Sequence, residues 1–194
     1  MRHKGLLDFG RNGLFYRLFL VSAICAILSS VLSQNGEIPF WRWVHYLTKP
    51  TATLLLLFAI LNAPRLNSKT YGFAIALGLA FAAAGDFFLM LPGEYFLTGL
   101  ICFLITHCIY IYALSRKTRF AESKLAFLIF AVLAIAIIVG LWGKLPSAMK
   151  IPVAIYASAI GIMAAQAFSR ALSTSPDAAL RYAALLAAAG GIFF

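Results

Sequence analysis

The chain has 194 residues, of which 63% are hydrophobic and only 11% are charged, and its mean hydropathy is +0.93. A soluble domain carries about 45–50% apolar and about 25% charged residues, so this chain has too few charges to cover a water-exposed surface. The net charge of +10 would suit nucleic acid, but the basic residues fall in short loops between apolar runs, without interleaved aromatics. We therefore expect an all-α, polytopic transmembrane helix bundle that does not bind nucleic acid.

The apolar runs predict about seven transmembrane helices. A membrane-spanning helix needs about 20 mostly apolar residues, and a basic leader at residues 1–16 precedes the first such run. The predicted spans are residues 17–33, 46–63, 71–91, 96–114, 125–143, 151–172 and 180–194, the last incomplete. Because the loops between them are short, residues 1–194 are predicted to form a single transmembrane domain.

The distribution of Lys and Arg predicts the orientation of these spans. With the N-terminus in the cytoplasm, 12 basic residues lie on the cytoplasmic side and 4 on the opposite side. Such an excess is typical of cytoplasmic loops. We expect a multi-pass protein of a bacterial inner membrane that is in contact with membrane lipids.

The sequence contains no pattern typical of a metal or organic cofactor site. Its three cysteines all fall within apolar runs, and their odd number and lack of CxxC spacing indicate neither a disulfide framework nor a metal site. No HExxH, GxSxG or Walker motif is present. No cofactor and no metal ligand is therefore predicted.

Asp86 is the first candidate functional residue. It is the one acidic residue within a predicted span, whereas the other five lie in loops or at loop edges. A charge at mid-membrane costs at least about 2.5 kcal/mol, so an ionisable residue there is a functional candidate. Held out of water, its carboxylic acid could donate a proton, and Gly85 would let a helix or a ligand approach closely. The alternative is a structural aspartate, paired with a base or bonded to a hydroxyl.

His107 lies near the middle of the fourth span. Helical spacing places Phe103, His107 and Tyr110 on one face. A histidine there can relay protons, bind a phosphate or hydrogen-bond a neighbouring helix; taken alone, a structural role is the better interpretation.

Lys49 and Pro50 are predicted to open the second span, because proline fits the first turn of a helix. Lys49 would then lie at the outer interface, within reach of a lipid phosphate or of Asp86. Simple snorkelling of its side chain to the interface is the alternative.

Three segments together resemble the YhhN / lysoplasmalogenase family. They are Thr48-Lys49-Pro50-Thr51 followed by residues 54–57, Gly85-Asp86-Phe87-Phe88-Leu89-Met90, and the spaced residues Phe96, Gly99, Phe103, His107 and Tyr110. The order matches that family's Lys-Pro opening, its Gly-Asp helix and its His-x-x-Tyr helix, and the resemblance runs from about Tyr46 to the end of the chain.

This resemblance implies a hydrolase that cleaves the vinyl ether bond of lysoplasmalogens, giving a fatty aldehyde and a glycerophospho-ethanolamine or -choline. It implies Asp86 as proton donor or charge stabiliser, His107 and Tyr110 as residues that orient substrate or water, and Lys49 with Gly85 as substrate-binding residues. No cofactor is implied. The fold would have eight helices.

One departure from the family pattern concerns the C-terminus. The family carries a second acidic motif, Ser-Asp, after a stretch similar to residues 190–194, and this chain ends just before that position. If both carboxylates are required, the chain as given is expected to be inactive. Two other functions stay open: a small proton-linked transporter or lipid-binding protein, and a non-catalytic membrane assembly protein.

Overall fold

A computed structural model describes residues 13–35, 39–62, 69–116 and 119–173. This part of the chain contains six α-helices and no strand. In chain order they are α1 (Gly13–Asn35), α2 (Pro39–Leu61), α3 (Lys69–Met90), α4 (Phe96–Ser115), α5 (Lys124–Trp142) and α6 (Ser147–Ser173).

The described helices confirm the all-α transmembrane class. Five of them, α2 to α6, are long and apolar enough to cross a membrane, and the apolar part of α1, Arg17–Leu32, is shorter. The predicted seventh helix at 180–194 lies outside the described residues, as does most of the predicted basic leader.

The start of α2 differs from the prediction. The helix begins at Pro39, seven residues before the predicted start at residue 46, so Pro50 lies inside it and not in its first turn. Pro39 itself occupies the first turn, where a missing N–H is tolerated, and the aromatic residues after it extend the apolar run. Beside Pro50, the Thr51 hydroxyl donates to the Leu47 carbonyl at 2.6 Å.

Backbone packing divides the chain into two compact units, residues 1–99 and 100–194. In the first unit α1 packs on α2 and α2 packs on α3. Two side-chain hydrogen bonds join α1 to α2: Ser22 Oγ donates to the Thr48 carbonyl at 2.8 Å, and His45 Nδ1 lies 3.0 Å from the Ala26 carbonyl.

Both α2 and α3 bury small side chains. Ala52 and Ala59 of α2 and Ala74 and Ala76 of α3 are all buried. Small residues let transmembrane helices approach closely, because association within lipid depends on van der Waals contact more than on the hydrophobic effect.

The second unit has a core of its own, formed where α5 packs on α6. Met163 and the alanines after it in α6 are buried together with Phe130 of α5 and Leu114 of α4. A Cβ atom added at Gly161 would lie 3.2 Å from Ala134 Cβ, so the two helices are in close contact there.

Two buried polar residues of α6 hold the loop between α4 and α5. Gln166 accepts a hydrogen bond from the Ala121 amide at 3.2 Å and donates to the Arg119 carbonyl at 3.3 Å. Ser169 Oγ accepts from the Ser123 amide at 2.9 Å. Ala121 has a φ of 56°, a left-handed conformation that non-glycine residues seldom adopt, so these bonds fix a strained turn.

Candidate functional site

Lys49 and Asp86 form an ion pair between α2 and α3. The Lys49 ammonium lies 3.3 Å from Asp86 Oδ1, with 37% of the lysine side chain exposed but only 5% of the aspartate side chain. Lys49 lies near the middle of α2, and Asp86 lies four residues before the end of α3. The register of the two helices brings these two positions side by side. The carboxylate is therefore enclosed, while its cation has one open side.

Thr53 completes this cluster. Its hydroxyl donates to Asp86 Oδ2 at 2.9 Å, so each carboxylate oxygen has a partner from α2. Thr53 follows Lys49 by four residues, a spacing that places two side chains on one face of a helix. That spacing could have pointed to Thr53 from the sequence, but only once Lys49 and Asp86 were taken as neighbours. We refer to Lys49, Thr53 and Asp86 as the α2–α3 polar cluster.

Gly85 lies next to this cluster and is buried. A Cβ atom added at Gly99, in the first turn of α4, would lie 3.2 Å from the Gly85 carbonyl oxygen and 2.8 Å from Leu89 Cγ. The backbone around Gly85 is thus closely packed against the start of α4.

His107 belongs to the second unit, and only 5% of the residue is exposed. Its Nδ1 lies 3.3 Å from Met163 Sδ, and its ring centroid lies 5.4 Å from that of Tyr156. The other ring nitrogen, Nε2, is buried and has no hydrogen-bond partner among the described residues. Neither Met163 nor Tyr156 was predicted, since both lie in α6, far from His107 in sequence and without a motif that marks them.

Tyr110 is half-buried and packs against the core of the second unit. Phe103 and His107, predicted to share its helical face, are both buried. The structure therefore places the candidates in two groups: Lys49, Asp86 and Gly85 in the first unit, and His107 with Tyr110 in the second.

An open groove of about 300 Å³ lies between α5 and α6. Its walls include Phe127, Phe130, Ala134 and Gly161, and Ser158 supplies a hydroxyl. None of the candidate residues lines this groove. Within the described ranges, no group of three or more His, Cys, Asp and Glu side chains is placed to hold a metal ion.

Comparison with known proteins places the chain in a family. A model described as the YhhN family matches residues 44–194. Proteins named "Uncharacterized membrane protein YhhN" from Escherichia coli O6:H1, Escherichia coli O157:H7 and Shigella flexneri are each 30% identical to it over 129 residues. The aligned region is 65% of this chain and 60% of each relative. No solved structure matches the chain. With a family match over most of its length, the chain belongs to the YhhN family.

Proposed function

We propose that this protein is a membrane-embedded hydrolase of a bacterial inner membrane that cleaves the vinyl ether bond of lysoplasmalogens. The products would be a fatty aldehyde and a glycerophospho-ethanolamine or -choline. The observation that supports this proposal best is the α2–α3 polar cluster, an enclosed carboxylate beside a partly exposed lysine, in two helices that are long and apolar enough to cross a membrane. Ionisable groups are costly within a membrane and mark functional sites there.

The reaction needs an acid and a water molecule but no cofactor. A proton is added to the vinyl carbon remote from the ether oxygen, which leaves an oxocarbenium ion. Water adds to the carbon beside that oxygen and loses a proton, and the resulting hemiacetal collapses to the aldehyde and the free glycerol hydroxyl. Asp86 would deliver the first proton, stabilise the cation as a carboxylate and take up the proton that water loses.

Lys49 would couple substrate binding to this chemistry. The phosphate and the vinyl ether of a lysoplasmalogen are attached to one three-carbon glycerol, so groups that bind them must be neighbours. Lys49 and Asp86 are neighbours at 3.3 Å, and the lysine has the exposed side on which a phosphate would arrive. A phosphate that draws the ammonium away would free Asp86 to carry a proton, while Thr53 still holds the other oxygen.

Gly85, His107 and Tyr110 would bind or orient the substrate. Gly85 is buried beside Asp86, and as a substrate-binding residue it would act through its backbone. The buried His107 nitrogen that has no partner among the described residues can accept a hydrogen bond from an O–H group, and Tyr110, three residues further along the same helix, would add a hydroxyl.

The test is aldehyde release from a lysoplasmalogen by the purified protein. Asp86→Asn keeps the shape of the side chain but cannot donate or take up the proton, so aldehyde release should fall by about 10²-fold or more, the range of general acid–base catalysis. Thr51→Val, on the same helix but with a hydroxyl bonded only within that helix, should retain activity. A folded protein that also carries the family's Ser-Asp motif and releases no aldehyde would contradict the proposal, as would an Asp86→Asn variant with full activity.

A double variant distinguishes catalysis from a purely structural role. Replacing both partners of a buried ion pair by apolar residues is often neutral or stabilising, whereas removal of one partner is strongly destabilising. We expect Lys49→Met with Asp86→Leu to give a protein that unfolds no more easily than the parent and releases no aldehyde. A double variant that does not fold would show that the pair is needed for assembly of the helices.

A further inference from the structure

The surroundings of His107 indicate which of its two ring nitrogens carries the hydrogen. The residue is 5% exposed, and its two ring nitrogens have different environments. Nδ1 faces the Met163 thioether at 3.3 Å, and Nε2 is buried without a hydrogen-bond partner in the described part of the chain. The ring is also packed at a tilt against Tyr156.

The chemistry of sulfur decides which nitrogen carries the hydrogen. A thioether has lone pairs but no hydrogen, so it can only accept. In a neutral imidazole one nitrogen donates and the other accepts, and the bond made by one fixes the character of the other. A contact of 3.3 Å between two lone pairs would be repulsive, whereas an N–H directed at the sulfur is attractive. Nδ1 must therefore be the donor.

We propose that Met163 fixes His107 in the Nδ1–H form and thereby makes Nε2 a buried hydrogen-bond acceptor for an O–H group. The ligand class follows from the nitrogen's remaining capacity: Nε2 has a lone pair and no hydrogen, so it binds a donor such as water or an alcohol. A carbonyl or a phosphate oxygen would not be bound there. Met163 is thus a positioning residue that acts through His107.

Water and a lipid hydroxyl are the two sources of such a donor. Under the proposed function these are the hydrolytic water and the free glycerol hydroxyl of a lysolipid. The choice between the two rests on that function, but the tautomer does not, since it depends only on the contact with Met163. The two parts are therefore tested separately.

The tautomer is measured by nitrogen NMR of the protein labelled at its histidines. His45 is an internal reference, because its Nδ1 lies 3.0 Å from the Ala26 carbonyl, which also can only accept. We expect His107 to match His45, with the hydrogen on Nδ1. Assignment uses His107→Asn. A hydrogen on Nε2 of His107 in the parent protein would overturn the proposal. This measurement requires no variant at Met163.

Substitution of Met163 tests the cause. Met163→Leu conserves volume, a type of change that cores tolerate, but removes the acceptor. The Nδ1–H population of His107 should fall, while His45 stays unchanged. Met149→Leu, on the same helix but not in contact with His107, is the matched control and should leave both histidines unaltered. An unchanged His107 tautomer in a folded Met163→Leu protein would show that sulfur does not set it.

The donor is identified with two lipid probes on the same labelled sample. Acyl lysophosphatidylethanolamine has the glycerol hydroxyl but no vinyl ether, and its 2-deoxy analogue lacks that hydroxyl. A hydrogen-bonded Nε2 signal that appears only with the first lipid assigns the lipid hydroxyl. A signal already hydrogen-bonded without lipid assigns water. An Nε2 signal typical of a nitrogen without a donor in all three samples would overturn the binding part of the proposal. Because neither probe is cleaved, absence of vinyl ether hydrolysis would not affect these outcomes.

Discussion

Replacing Thr53 by valine removes the hydroxyl that donates to Asp86 Oδ2 at 2.9 Å and leaves a side chain of similar shape. A hydrogen bond to a charged group contributes about 1.5–3 kcal/mol to stability. The Asp86 side chain is 5% exposed, so water cannot easily replace the hydroxyl, but Lys49 still pairs with the other oxygen. We expect the free energy of unfolding to fall by about 2 kcal/mol.

Activity should fall with it, because the same bond orients the carboxylate. If the bond is stronger in the transition state than in the free protein by roughly 1.4 kcal/mol, its removal lowers aldehyde release about tenfold. The expected pattern is a lower kcat at a nearly unchanged KM, since the phosphate is proposed to bind Lys49 and not Thr53.

The measurement is equilibrium unfolding in mixed micelles, with Thr51→Val beside Thr53→Val. Both variants lose one hydroxyl from α2, but the Thr51 hydroxyl donates only to the Leu47 carbonyl one turn earlier. Such local bonds add little and can slightly destabilise a helix, so the control should be near neutral. Equal losses in the two variants would refute the reasoning, because the effect would then belong to any threonine of this helix.

A double-mutant cycle with Asp86→Asn isolates the interaction energy between Thr53 and Asp86. Residues in direct hydrogen-bond contact show coupling energies of about 0.5–3 kcal/mol. We expect coupling above about 1 kcal/mol between Thr53→Val and Asp86→Asn, since the amide oxygen is a weaker acceptor than the carboxylate. Strict additivity would mean that the hydroxyl does not act through Asp86.

Two further variants test the packing around the candidate residues. Gly99→Ala would place a methyl group 2.8 Å from the nearest side-chain carbon and 3.2 Å from a backbone oxygen, so thermal unfolding in detergent should show a loss of about 1–3 kcal/mol. Gly140→Ala, with nothing within 4 Å of the added carbon, should be neutral or stabilising; equal effects would contradict the close contact at Gly99. Gln166→Leu removes two of the three bonds that hold the turn around Ala121 and leaves the one to Ser169. Trypsin should therefore cut faster after Arg119, and unchanged cleavage would show that the Gln166 bonds do not hold the loop.

The helices were predictable because their signal is local. Each span is a continuous apolar run of nearly the length that a membrane requires, and the described helices α3 to α6 lie close to the predicted ranges. The predicted start of α2 is wrong because Pro50 resembles a proline in the first turn of a helix. A proline inside a transmembrane helix is tolerated because neighbouring side chains and helices compensate for the lost backbone bond, so its position alone did not mark the boundary.

Contacts between helices were harder to predict from the sequence than the helices themselves. Asp86 could be singled out by its cost within a span, and Lys49 was named as one possible partner. Their pairing, however, depends on the register of α2 against α3, which hydropathy does not determine. Met163 was beyond reach of the sequence: methionine is a common filler of apolar cores, and nothing in the sequence relates it to His107, 56 residues away.

The α2–α3 polar cluster fits the structural alternative for Asp86 as well as the functional one, since the aspartate pairs with a base and accepts a bond from a hydroxyl. Energetics favour the functional interpretation. An enclosed ion pair seldom stabilises a protein more than apolar residues of the same size would, and here α2 and α3 already pack on each other and both contain buried alanines. The pair is also unequal, with a closed carboxylate and a lysine that is 37% exposed. A pair that served only to join helices would gain most if both charges were enclosed and fully bonded. One cation left open on one side is the arrangement that a site needs if an anionic headgroup is to reach it.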